Sequence, residues 1–110
     1  YKDISAYCRE ETSDEFVVKE IFSGAYKKLN IENGDIVADI GLNIGMFTCW
    51  AIQNGAEKVF SYEPNADNFE LATRNVKLNN YEDKANLNNF SVIISQMLLK
   101  WILKAVRWNV

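Results

Sequence analysis

Two kinds of apolar spacing alternate along the chain. Between Thr12 and about Ser23 the apolar residues fall at helical spacing, with Val17, Ile21 and Ala25 four apart and Phe16 beside them. A helix that lays this face on a core is expected. Thr12 and Glu15, three apart in Thr12-Ser13-Asp14-Glu15, have the pattern of a capping box and set its start. The dozen residues before it show no period and read as an extended or irregular lead-in. Asn33-Gly34-Asp35 is a turn signal. Ile36-Val37-Ala38-Asp39-Ile40 is apolar at consecutive positions until Asp39, as in a strand covered on both faces of a parallel sheet. A glycine-punctuated loop, Gly41-Leu42-Asn43-Ile44-Gly45, leads into a helix from about Ile44 to Asn54. Phe47, Trp50 and Ala51 form its stripe, and Gly55 suits the position just past its end. Val59 to Tyr62 is a second strand, closed by Glu63-Pro64. Asn65 caps a helix to about Asn79 with Phe69, Ala72 and Val76 inward, and a weak third strand follows from about Ala85 to Phe90.

Strand, glycine loop, helix, strand, acid, helix and strand is the opening of a doubly wound α/β fold. At 110 residues there is room for one small domain. The chain begins at Tyr1 and shows no basic start followed by an apolar run, so a trimmed or partial N-terminus without a secretory signal is expected. The apolar stretch from Val92 to Leu103 is interrupted by Ser95, Gln96 and Lys100 and is too short to span a bilayer. Residues 96–110 carry Lys100, Lys104 and Arg107 and no acid, while the whole chain has a net charge of −3. The body is therefore acidic, which argues against nucleic acid as a partner. The basic tail has the form of an amphipathic helix, for which folding back over an exposed sheet edge or face is preferred to lying on a membrane surface.

Histidine is absent, which removes His-based general bases, Ser-His-Asp and Cys-His nucleophile systems and the usual zinc sites; no metal is expected. Cys8 and Cys49, with no CxxC, read as the reduced thiols of a cytoplasmic protein, and Cys49 as a small buried hydrophobe rather than a nucleophile. Chemistry must then come from carboxylates, amides, backbone dipoles and a cofactor.

The unit that carries such chemistry is Asp39-Ile-Gly41-Leu-Asn43-Ile-Gly45-Met-Phe47-Thr48. Its glycines allow a sharp turn off the strand and a close approach of ligand to amides at a helix N-terminus, which are expected to face an anionic group such as a carboxylate. Glu63 stands 22 residues after Gly41, at the end of the next strand. An acid about 20 residues on accepts two hydrogen bonds from a ribose diol. The nicotinamide fingerprint G-x-G-x-x-G would fall on 41, 43 and 46, where the residues are Gly41, Asn43 and Met46. A pyrophosphate needs the second glycine, so a nicotinamide-dependent oxidoreductase fragment is disfavoured. S-adenosylmethionine, which has no phosphate, fits Asp39 with glycines at 41 and 45 better. Thr48 is expected to pack or back-bond rather than touch ligand.

The motif Asp39-Ile-Gly-x-Asn43-Ile-Gly-x-Phe-Thr48, with Tyr62-Glu63-Pro64-Asn65, Asn68-Phe69-Glu70-Leu71 and Asn75-x-x-Leu78-Asn79-Asn80, resembles the FkbM-type methyltransferases over about residues 13–91. The resemblance implies a class I, Rossmann-like fold, S-adenosylmethionine as cofactor, and methylation of hydroxyl groups on sugars or small metabolites. It implies that Asp39, Gly41, Asn43 and Gly45 surround the methionine end, that Glu63 holds the ribose, and that Pro64 and Asn65 border the adenine. After Ser91 nothing of the family pattern continues. The expectation is therefore an incomplete α/β Rossmann-like methyltransferase fold of about three parallel strands with flanking helices. Residues 1–95 would form its cofactor-binding half and 96–110 a divergent tail, as in a truncated or frameshifted product. The alternative is a non-catalytic fragment of a split gene that binds cofactor weakly or needs a partner chain over the exposed edge of the first strand. No general base is identifiable, and the acceptor is expected to be a small molecule.

Overall fold

The computed structural model describes residues 4–89. The elements are α1 (Asp14–Glu20), a wider π-type turn at Ile21–Ala25, a short 3-10 turn at Lys27–Leu29, β1 (Ile36–Ile40), α2 (Met46–Gln53), β2 (Lys58–Tyr62), α3 (Ala66–Leu78) and β3 (Ala85–Asn88). The strands form one parallel sheet in the order β1-β2-β3, with Asp39 opposite Ser61 and Ile40 opposite Tyr62. The third strand ends at Asn88, two residues short of the expected Phe90, which lies outside the described residues together with the basic tail.

The first helix departs from expectation at both ends. Its start is not a capping box: Ser13 is the cap residue and its side chain makes no capping bond. Thr12 Oγ1 instead accepts from the Asp14 amide at 3.2 Å and donates to the Arg9 carbonyl at 2.7 Å. The inward stripe is Asp14, Val17, Val18 and Ile21, one turn apart in pairs, so Phe16 points away and is 65% exposed. Regular α-helix stops at Glu20, and Gly24, in the left-handed region at φ 99°, ends the wide turn that follows. That step breaks the fourfold period, and Ala25 is exposed.

The core lies on one side of the sheet. Val37, Val59, Ala85 and Leu87 meet Cys49, Trp50 and Ile52 of α2, Ile21, and Leu71 and Val76 of α3 in one cluster. Tyr26, Phe47 and Trp50 form an aromatic trio with ring centroids 5.3, 5.7 and 6.1 Å apart. Phe69 is half-buried and outside this cluster; Leu71, Ala72, Asn75 and Val76 are the buried residues of α3. Successive strand residues face opposite ways, and the second face, with Ile36, Ala38, Ile40, Phe60 and Tyr62, does not join the cluster. Among the described residues β1 is thus covered on one face only, and Ile36 is 60% exposed. Among the described strands β1 also has β2 alone as a neighbour, so one edge of it is free.

Candidate functional site

The chain leaves β1 at its C-terminal end and reverses through three left-handed residues. Gly41 and Gly45 have φ of 84° and 93°, and Asn43 has φ of 52°. Asparagine is among the few side-chain-bearing residues that adopt this region readily, so the position that lacks the nicotinamide-type glycine still makes the turn. The two glycines serve different ends. A Cβ on Gly41 would meet nothing within 4 Å, so the bend is open there. A Cβ on Gly45 would lie 3.1 Å from the Ala72 carbonyl oxygen and 3.2 Å from its Cα, so Gly45 lets the bend press against α3.

Four amides of the bend, those of Gly41, Leu42, Asn43 and Gly45, are taken up within the chain. The Gly41 and Leu42 amides both donate to the Tyr62 carbonyl, at 2.9 and 3.0 Å, and the Gly45 amide donates to the Leu42 carbonyl at 3.0 Å. The Asn43 amide donates to Glu63 Oε1 at 2.7 Å. The parallel ladder simply runs one step past β1, and β2 and its terminal acid take these donors.

Glu63 is 6% exposed and turned toward the bend. Its Oε2 accepts from the Asn65 amide at 3.0 Å, so each carboxylate oxygen holds one backbone donor and keeps a second lone pair. Asn65 caps α3 by accepting from the Asn68 amide at 2.9 Å, and Pro64 beside it is half-buried. Asp39, Gly41, Asn43 and Glu63 therefore converge on one bend, while Gly45 faces α3 and the Asn65 side chain is engaged in capping.

Asp39 lies beneath the bend, 6% exposed. Thr48 Oγ1 donates to Asp39 Oδ2 at 2.6 Å and is 2.7 Å from Ser61 Oγ, the side chain opposite Asp39 in the ladder. Thr48 is fully buried, as expected of a packing residue, and its hydroxyl holds an acid rather than its own helix. Burial pushes the Asp39 carboxyl up to about 6; the Thr48 hydrogen bond opposes this and the nearby Glu63 charge adds to it. Along the free edge of β1 runs a cavity of about 470 Å³, lined by Val17, Glu20 and Tyr26 on one side and by Asp39, Gly41 and Asn43 on the other. Among the described residues its charged lining, Glu20 and Asp39, is acidic. A sequence reading misses Glu20, Tyr26 and Ser61, because only tertiary packing brings them to the bend.

No protein-family model matches the chain. Protein arginine N-methyltransferase 6 of Xenopus tropicalis is 29% identical over 97 residues, covering 84% of this chain and 26% of its own length. Methyltransferase sdnD of Sordaria araneosa is 28% identical over 78 residues, covering 69% and 30%. Among solved structures, PRMT6-SAH superposes with a TM-score of 0.55 at 25% identity, over 82% of this chain and 25% of that one. The open form of Arabidopsis thaliana protein arginine methyltransferase 10 gives 0.56 at 25% identity, over 64% and 20%. The fold is that of the Rossmann-like methyltransferases.

The chain spans about a quarter to a third of the length of the curated relatives it matches. Cys49 is buried, and burial together with the Asp39 charge pushes its thiol up to about 12, which disfavours the thiolate. Cys8 is a free, exposed thiol. No helix of the described residues is long and apolar enough to cross a membrane.

Proposed function

We propose that this chain is the cofactor-binding half of an S-adenosylmethionine-dependent methyltransferase. The observation that carries the reading is the turn of Glu63 from the tip of β2 onto the Asn43 amide, beside a bend that is open at Gly41. Two acids then stand at one bend, and among the described residues no basic one lines the adjoining cavity, an arrangement suited to a cationic nucleoside and hostile to a pyrophosphate. Asp39, Gly41 and Asn43 would hold the methionine end in the cavity, with Gly45 shaping the bend from beneath. Glu63 would take the ribose diol with its two remaining lone pairs, and Pro64 and Asn65 would border the adenine. S-adenosylmethionine supplies an activated methyl group; the chain's part is to align it and keep water out.

The acceptor is proposed to be a hydroxyl of a sugar or small metabolite, the chemistry that the FkbM resemblance implies. A nitrogen acceptor is the second reading, favoured by the 29% identity to an arginine N-methyltransferase over most of this chain. The free edge of β1 is proposed to be covered by a further strand, from the same polypeptide or a partner.

Titration calorimetry with S-adenosylmethionine and with NAD tests the cofactor. Stoichiometric heat with the first alone, weakened about tenfold in Glu63→Gln, is expected. Heat with NAD alone, or silence with both, overturns the reading.

A further inference from the structure

The lead-in that shows no period in the sequence is held against α3 by side-chain amides. Asn79 Nδ2 donates to the Ser5 carbonyl at 2.7 Å, and its Oδ1 accepts from the Ser5 amide at 2.9 Å. Asn75 repeats the pair with Tyr7: its Oδ1 accepts from the Tyr7 amide at 2.6 Å and its Nδ2 donates to the Tyr7 carbonyl at 3.2 Å. The match is geometric. Residues four apart rise about 6 Å along a helix, and residues two apart in an extended chain rise about 6.6 Å. Arg74 stacks on the Tyr7 ring at 4.7 Å, and Arg9 donates to Asn68 at 2.8 Å, so three residues of α3 and its C-cap residue Asn79 grip residues 5–9.

Asn75 differs from Asn79 in one respect. It is fully buried, and its Nδ2 also donates to the Ile44 carbonyl inside the glycine bend at 2.8 Å. One amide group thus ties the N-terminal strap to the loop that Glu63 holds from the other side.

We infer that Asn75 is a positioning residue that couples the strap, through Tyr7, to the shape of the Gly41–Gly45 bend, so that strap docking and ligand binding at the bend favour each other. The inference rests on the cofactor reading above. A ligand seated on the bend selects the conformation in which the Ile44 carbonyl faces Asn75, and an Asn75 so oriented presents both its groups to Tyr7. By linkage the coupling runs both ways. Asn79 holds the same strap without reaching the bend, which makes it the control.

The test compares Asn75→Ala, Asn79→Ala and Tyr7→Pro in the full chain, with S-adenosylhomocysteine as probe. Asn75→Ala is expected to weaken binding about tenfold and Tyr7→Pro about threefold, with Asn79→Ala within about twofold of the unaltered chain. Hydrogen exchange provides a second readout that needs no ligand. Asn75→Ala should raise exchange in both 5–9 and 41–45, Asn79→Ala in 5–9 alone. If the unaltered chain binds no probe, the cofactor reading fails while the exchange pattern still decides the coupling. Equal weakening by Asn75→Ala and Asn79→Ala, or an unchanged bend in the exchange of Asn75→Ala, overturns the inference. Should Asn75→Ala not fold, Tyr7→Pro, which leaves Asn75 in place, decides it: unchanged exchange at 41–45 overturns the coupling.

Discussion

Asp14 and Asp39 are both little exposed, at 3% and 6%, but Asp39 lies far deeper in the protein, and their surroundings push them in opposite directions. Asp14 sits in a fork: Arg9 Nε donates at 2.8 Å, Arg9 Nη2 at 2.9 Å, and the Arg9 amide at 2.9 Å. The Arg9 hydrogen bond holds its carboxyl below the ordinary value, outweighing the cost of burial. Asp39 has a hydroxyl from Thr48 and, among the described residues, no cation, so burial prevails and its carboxyl rises to about 6. The difference separates a structural acid from a candidate functional one. Asp14 is complete within the chain and fastens the strap to α1, whereas Asp39 keeps an unbalanced charge beneath the open bend, where a cationic ligand would balance it.

The signs of the pH dependence follow. The contribution of Asp39 is fullest below 3.8 and is lost as pH rises through about 6, because the folded state favours its protonated form. The contribution of Asp14 is present above 3.8 and is lost as pH falls through its lowered value. The largest expected effect is therefore in Asp39→Asn, which should stabilise the protein at pH 8 by up to about 3 kcal/mol and flatten the slope between pH 4 and 6 in urea unfolding. Destabilisation at pH 8 would break the contrast. Thr48→Val removes the hydroxyl that donates to Asp39 and should cost about 2 kcal/mol at pH 8 and less at pH 4, where the acid is neutral. An equal cost at both would mean the hydroxyl serves packing alone. Arg9→Ala should lower the melting temperature at pH 7 by less than Thr48→Val does, because its guanidinium is 38% exposed and water can reach the vacated site. That deficit should shrink as pH falls below 3.8; a constant deficit would assign Arg9 a packing role. The smallest effect sharpens the functional side: S-adenosylmethionine affinity should fall by several-fold as pH drops from 7 to 5 and protonates Asp39, and should be flat in Asp39→Asn.

The glycine bend and its acid were readable because each depends on neighbours close in sequence. Gly41, Asn43 and Gly45 declare a left-handed turn by residue type, and Glu63 follows Tyr62 at a strand end. Asn65 caps α3 as its pattern predicts, for the same reason. The strap was not readable. Its partners, Asn75 and Asn79, lie 68 and 74 residues away, and asparagines on a helix carry no periodic signal. The burial of Asp14 was not readable either, because the Arg9 fork that receives it forms only in the folded chain.

Apolar spacing, turn residues and helix caps determined the parallel strand-helix succession and the place of the bend, since those choices are settled by torsional preference and by the need of each element to bury one face. Tertiary structure alone decided which polar groups the bend would leave open. It closed the amides of Gly41, Leu42 and Gly45 onto the backbone, and among the described residues it left Asp39 without a counterion. Hydrogen-bond satisfaction and desolvation depend on atoms that meet only when the chain has folded, and no local pattern records them.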